Sequence, residues 1–159
     1  MMKEVEGLPV GWSVTNVAQL ASIVRPGFPS GIHNDDGRGL PHLRPMNIDG
    51  QGRLSLAELK YVEVVNPPLL QDGDILFNNT NSPVWVGKTT VIKQSDVYTY
   101  SNHMTRITTN CDVGIPSFFA YQLHYLQQSG YFLARCTNHV NQAKHLTISS
   151  ARFLWENHA

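Results

Sequence analysis

The chain has 159 residues, 42% of them apolar and only 15% charged, a composition that can bury one domain-sized core and excludes a disordered or highly solvated tail. Twelve basic and twelve acidic residues leave a formal net charge of zero, so the basic excess of a free-standing nucleic-acid binder is missing. No run approaches the roughly 20 apolar residues of a membrane span, and the stretch Met1 to Trp12 lacks the basic-then-apolar layout of a leader, which sets the expectation of a cytoplasmic protein with no membrane partner.

Leu8-Pro9-Val10-Gly11-Trp12 reads as a turn into an extended run, Trp12 to Val17, followed by one helical turn around Ala18 to Ser22. Arg25 to Gly39 holds Pro26, Gly27, Pro29, Gly31, Gly37 and Gly39, which punctuate rather than continue elements, and reads as loop. His42 to Ile48 is a strand candidate, closed by the turn chemistry of Asn47-Ile48-Asp49-Gly50-Gln51-Gly52. Arg53 to Val65 starts as a strand and holds a helical turn near Leu56 to Leu59.

The middle of the chain is strand territory. Asp74 to Phe77 follows the turn Gln71-Asp72-Gly73. Val84 to Lys93 and Val97 to Thr108 are rich in β-branched and aromatic residues, and Gln94-Ser95-Asp96 between them predicts a hairpin. A helix begins at Pro116, a residue suited to the first helical position, and Phe118, Phe119, Gln122, Leu123 and Leu126 fall on one face of it. A second, shorter helix spans Tyr131 to Cys136, after Ser129-Gly130. Strands first and helices late predict an α+β fold: a twisted, mainly antiparallel sheet with helices towards the C-terminus, in a single domain over residues 1–159.

Cys111 and Cys136 stand alone without a CxxC pair and read as packed thiols. The seven histidines, His33, His42, His103, His124, His139, His145 and His158, form no HxxxH, HxH or HExxH spacing, so no metal, cofactor or catalytic group is expected. Asn66-Pro67-Pro68-Leu69 is close to the Asn-Pro-Pro-aromatic motif of adenine methyltransferases, but Leu69 cannot stack on a flipped base and no glycine-rich turn offers a methyl-donor site. Ser82 to Thr89 imitates the end of a phosphate-binding loop without its first glycine, and continues as strand rather than helix. Asn78-Asn79-Thr80-Asn81-Ser82 is five short polar side chains at a strand end. Such residues pair with base edges, and they equally make a polar turn. Asn102 and His103 pose the same choice, a groove or water, while Arg44, Lys88, Arg106 and Lys144 are candidate phosphate or guanine contacts, or solvated charges.

A set of short patterns in order does more. Leu8-Pro9-Val10-Gly11-Trp12, then His42-Leu43-Arg44-Pro45-Met46-Asn47-Ile48 with Gly52-Arg53-Leu54, then Tyr61-Val62 with Leu70-Gln71-Asp72-Gly73-Asp74-Ile75-Leu76-Phe77 come first. Asn81-Ser82 with Val86-Gly87-Lys88, Ser101-Asn102-His103-Met104-Thr105-Arg106-Ile107, and Asn141-Gln142 with Leu146 and Ile148 complete the series. Together they resemble the target-recognition domains of type I restriction-modification specificity subunits.

The resemblance implies a non-catalytic role: reading one half of a split double-stranded DNA target for a methyltransferase (modification) subunit and a restriction subunit. It also implies that Gly73, Asp74 and Gly87 shape the fold. The loops beside Asn47, Asn78 to Ser82 and His103 would lie near DNA, and the full candidate set is Arg44, Asn47, Asn78, Asn79, Thr80, Asn81, Ser82, Lys88, Asn102, His103, Arg106 and Lys144. The long spacer helix of such subunits is absent from the 159 residues, whose last pattern gives way to Trp155-Glu156-Asn157-His158-Ala159. The alternative is a truncated relative that binds a partner protein and no longer reads DNA.

Overall fold

A computed structural model of the chain describes residues 7–93, 97–110, 115–135 and, for the backbone alone, 152–156. The elements run β1 (Trp12–Asn16), α1 (Val17–Leu20), β2 (Ala21–Pro26), β3 (Leu40–Leu43), β4 (Lys60–Val62), β5 (Ile75–Asn78), β6 (Thr89–Val91), β7 (Thr99–Tyr100), β8 (Met104–Thr109), α2 (Pro116–Gln128) and β9 (Arg152–Glu156). The architecture is α+β with mostly antiparallel pairing and few helices.

Three sheets result. The largest has the order β2-β8-β5-β6 and is antiparallel throughout. A second is ordered β4-β3-β7, with β3 and β7 parallel, and the third is the antiparallel pair β1-β9. Strand β5 sits at the centre because its side chains are buried on both faces, which is why it reads as an unbroken apolar run. Ile75 and Phe77 point with Ile107 into a core capped by α1 and α2, where Phe119, Leu123 and Phe132 fill the space. Leu76 points the other way, into a core shared with Leu43 and Tyr100 of the second sheet and with Ile48 and Met104. Burying each such side chain contributes roughly 1.5–3 kcal/mol, so the two cores together fix which residue of β5 faces which layer.

Several expectations change. The run Val84 to Lys93 is not one strand: residues 83–87 turn, and only Thr89–Val91 pairs, with β5 rather than with the segment after residue 96. Gly87 explains the turn. Its φ is +80°, and a Cβ there would lie 2.4 Å from the Phe132 ring, so only glycine lets the chain bend against that core residue. Nor is Val97 to Thr108 one strand. Met104 N–H donates to the Ser101 carbonyl at 2.9 Å, closing a tight turn that passes the chain from the second sheet to the first. Among the described residues β6 pairs with β5 and β7 with β3 rather than with each other, and residues 94–96, where the hairpin turn was expected, lie outside the described residues.

Strand β2 extends into the stretch expected to be loop, and the helical turn lies at Val17–Leu20, with Ser22 already in β2. The strand expected at His42 to Ile48 ends at Leu43, because Pro45 starts a one-turn 3-10 helix, Pro45–Asn47. Helix α2 begins at Pro116 as its sequence implies, but Phe118 is 38% exposed and only Phe119 and Leu123 of the expected face are buried. Beyond it, a 3-10 turn, Leu133–Arg135, replaces the second helix. Cys111, Cys136, Asn141, Gln142, Lys144, Leu146 and Ile148 lie outside the described residues. No described helix is long and apolar enough to cross a membrane.

Candidate nucleic-acid interface

The candidate residues divide into those that hold the fold and those that line a surface cleft. Asn78 is fully buried, and its Nδ2 donates to the Pro45 carbonyl at 2.9 Å. Asn79, 7% exposed, donates from Nδ2 to Thr105 Oγ1 at 2.9 Å and more distantly to the Asn102 carbonyl, while its backbone N–H donates to the His103 carbonyl at 3.0 Å. Asn47, also buried, accepts from the Arg44 N–H at 2.8 Å and donates to the Ser55 carbonyl at 2.9 Å. These three amides brace turns from below, and in this fold their side chains do not face solvent.

Arg106 is likewise a clamp. Its Nε lies 2.8 Å from Asp74 Oδ2, Nη1 donates to the Leu69 carbonyl at 3.0 Å, and Nη2 to Gln71 Oε1 at 3.3 Å. Asp74 completes the knot by accepting from Gln71 N–H at 2.7 Å and from the Thr108 hydroxyl at 2.6 Å. The pair is nearly dry, with side-chain exposures of 13% and 1%. A guanidinium committed to three partners in one loop is not a free phosphate contact.

The surface members converge. Arg44, Thr80, Asn102 and His103 come from three separate segments and line one cleft of about 410 Å³. Seven further residues outside the candidate set share it, among them Ser30, His33, Met46, Trp85 and Ser101. The loop carrying Ser30 and His33 reaches the cleft because Phe28 bridges to Ser101, donating to the Tyr100 carbonyl and accepting from Asn102 N–H. Gly27 permits that approach, since a Cβ there would fall 2.1 Å from the Tyr100 carbonyl oxygen. The tie is long-range, so no local pattern around residue 30 announces it.

None of the described residues lining the cleft is Asp or Glu. The net charge of zero therefore hides a local arrangement of one guanidinium, two imidazoles, three hydroxyls and an amide, a donor-rich wall suited to an anion or to base edges. Arg44 donates from Nη2 to the Glu58 carbonyl at 2.8 Å and keeps Nε without a partner. Next to the cleft, Lys88 places its amine 4.3 Å from the Trp85 ring centroid. Asn81 is exposed and Ser82 partly so, in the turn where the Ser82 carbonyl accepts from Trp85 and Val86 N–H.

Behind the wall His42 is wholly buried, edge-on to Phe28 and 5.3 Å from the His33 ring centroid, with neither ring nitrogen bonded. Burial first, then His33 and Arg44, lower its pKa to about 4. His33 is exposed at the mouth, where partial burial, Arg44 and Lys60 also hold its pKa below the ordinary value. A second groove, of about 590 Å³, runs between α2 and residues 51–54 and contains His124 and Tyr121. Among the described residues no group of three potential metal ligands occurs.

No family model matches the sequence, and no curated protein matches it significantly. Solved structures do. The HsdS subunit from Thermoanaerobacter tengcongensis superposes with a TM-score of 0.67 at 17% identity, over 96% of this chain and 36% of that one. A chain from a structure of the assembly and conformational transition of the type I R-M system gives 0.68, again at 17% identity, over 98% of this chain and 37% of its own. The fold is shared. The chain thus spans little more than a third of the length of these specificity-subunit neighbours, and the likeness read from its short motifs holds for backbone architecture.

Proposed function

We propose that the chain reads a short double-stranded DNA sequence as the target-recognition domain of a type I restriction-modification specificity subunit. In this reading it directs a methyltransferase (modification) subunit and a restriction subunit and performs no catalysis itself. One observation carries the proposal: Arg44, Thr80, Asn102 and His103, distant in sequence, meet in a carboxylate-free cleft on a fold shared with HsdS. Base contacts fall to Thr80, Asn102 and His103 in the cleft and to Asn81 and Ser82 beside it, with Arg44, Lys88 and Lys144 as phosphate contacts. Asn47, Asn78, Asn79 and Arg106 act from behind by holding the turns in place.

Few basic residues and half a site imply weak binding, with a salt slope no steeper than a few phosphate contacts give. The test is selection from a randomised duplex pool at low ionic strength. Enrichment of a short motif that changes with Asn102→Ala or His103→Ala supports the reading. A pool that stays random overturns it.

The competing reading, a protein-interaction module, has its own observation. Helix α2 contains no Asp, Glu, Lys or Arg, yet Tyr121 and Tyr125 are 71% and 67% exposed on it. Such a face suits a protein partner, and it is compatible with DNA reading because it lies on a different set of residues from the cleft.

A further inference from the structure

The cleft holds more than polar atoms awaiting base edges; its charges are arranged around one exposed imidazole. His33 Nε2 lies 2.6 Å from Ser30 Oγ. The ring packs beside buried His42, and Arg44 from the turn after β3 and Lys60 of β4 both bear on it. His103 lies across the cleft. The acids nearby are engaged elsewhere: Asp35 pairs with Lys60, and Asp36 and Glu63 pair with Arg38. In the empty cleft a protonated His33 would thus face the Arg44 charge, and more weakly that of the Asp35-paired Lys60, with no carboxylate in the lining to offset them.

We propose that this cleft is a phosphodiester subsite, in which one backbone phosphate of bound DNA is held by Arg44 and His33, and that its arrival places one proton on His33. An anion there offsets the Arg44 and Lys60 charges that oppose the imidazolium, and adds an attraction of its own. Protonation does not break the local structure, because Nε2–H can donate to Ser30 Oγ. Arg44 lines the cleft with its Nη2 anchored on the Glu58 carbonyl, which fixes the guanidinium charge at the wall. The proton comes from solvent and returns to it on release, so the step amounts to linked binding with no bond broken in the DNA. By linkage, the affinity rises as the pH falls through the interval between His33's pKa in the free and bound states.

The inference rests on the DNA reading for the source of the phosphate, and two probes separate their failures. The first is duplex DNA carrying the selected motif, titrated between about pH 8 and pH 6 at constant ionic strength. Binding should tighten by up to about tenfold per pH unit, and His33→Asn should remove that dependence while His103→Asn keeps it. The second is dimethyl phosphate, a lone diester that does not itself titrate in this range, added to the wild-type chain while the His33 ring is followed by NMR. It should raise the pKa of His33.

If dimethyl phosphate raises it and DNA does not bind, the subsite stands and the DNA reading falls. If DNA binds but neither probe moves His33, or the pH dependence survives His33→Asn, the subsite is overturned and the DNA reading stands. If neither probe binds, both are overturned.

Discussion

Asn78 and Asn79 are neighbours in the chain and brace opposite walls. The Asn78 amide holds the Pro45 carbonyl, on the wall that presents Arg44 and Met46, and the Asn79 amide holds Thr105 and the turn that presents Asn102 and His103. Because side chains alternate along a strand, two consecutive asparagines at the end of β5 are enough to reach both.

Replacing either by Ala should therefore cost stability before it costs discrimination between bases. A buried carbonyl or hydroxyl loses its donor in each case, which is worth about 1–3 kcal/mol. Urea unfolding should show a lower midpoint at an unchanged slope. A mutant with wild-type stability and altered base preference would instead mean that the amide reaches the DNA directly.

Arg106→Ala should be the most damaging single change at any of the candidate positions. It leaves the Asp74 carboxylate, 1% exposed, without its cation, and breaking one side of a buried pair costs about 3–5 kcal/mol. Arg106→Lys should rescue little, because one ammonium cannot reach Asp74, the Leu69 carbonyl and Gln71 together. Thermal denaturation of the three proteins decides it.

Lys88→Ala should leave the fold intact and weaken binding to every DNA sequence alike, with the slope of log affinity against log salt falling by about one. Asn102→Ala should do the reverse, leaving the salt slope unchanged and relaxing one or two base positions by roughly 1–3 kcal/mol each. Fluorescence titrations at several salt concentrations separate the two outcomes.

His42 gives a pH dependence of stability whose sign is fixed. Its pKa is about 4 in the folded chain against an ordinary 6.5, so between those values the unfolded chain holds the extra proton. Stability should be complete above pH 6.5 and fall on acidification by up to about 3 kcal/mol as pH 4 is reached. His42→Phe keeps an aromatic ring against Phe28 and removes both unbonded nitrogens, so its acid-induced loss should be smaller by that amount in urea melts at pH 7 and pH 4.

What the sequence revealed was local. The turn before Asp74, the apolar run Ile75 to Phe77 and the helix start at Pro116 are each dictated by neighbouring residues, and each is found in the structure. The break at Ser101 was hidden inside a stretch that is β-prone throughout, because it arises from distant partners: β3 claims Tyr100 and β5 claims Met104. Strand β2 was hidden by Pro26, which a strand tolerates at the end of a sheet edge. The site divided in the same way. Nothing in the chemistry of Asn78 or Arg106 tells a groove contact from a buried brace, since burial is decided by other layers, and His33 joins the cleft through long-range bridges, Phe28 to Ser101 and Asn34 to Tyr61.

The pairing of β1 with β9 sets Trp12 opposite Glu156, so the first and last described strands lie side by side and antiparallel, about 5 Å apart. A unit closed at its base in this way can be spliced into a longer chain, or exchanged for another of the same design, without forcing the flanking segments apart. Units of this fold can then be exchanged between host chains as cassettes, with β1 and β9 serving as the joint.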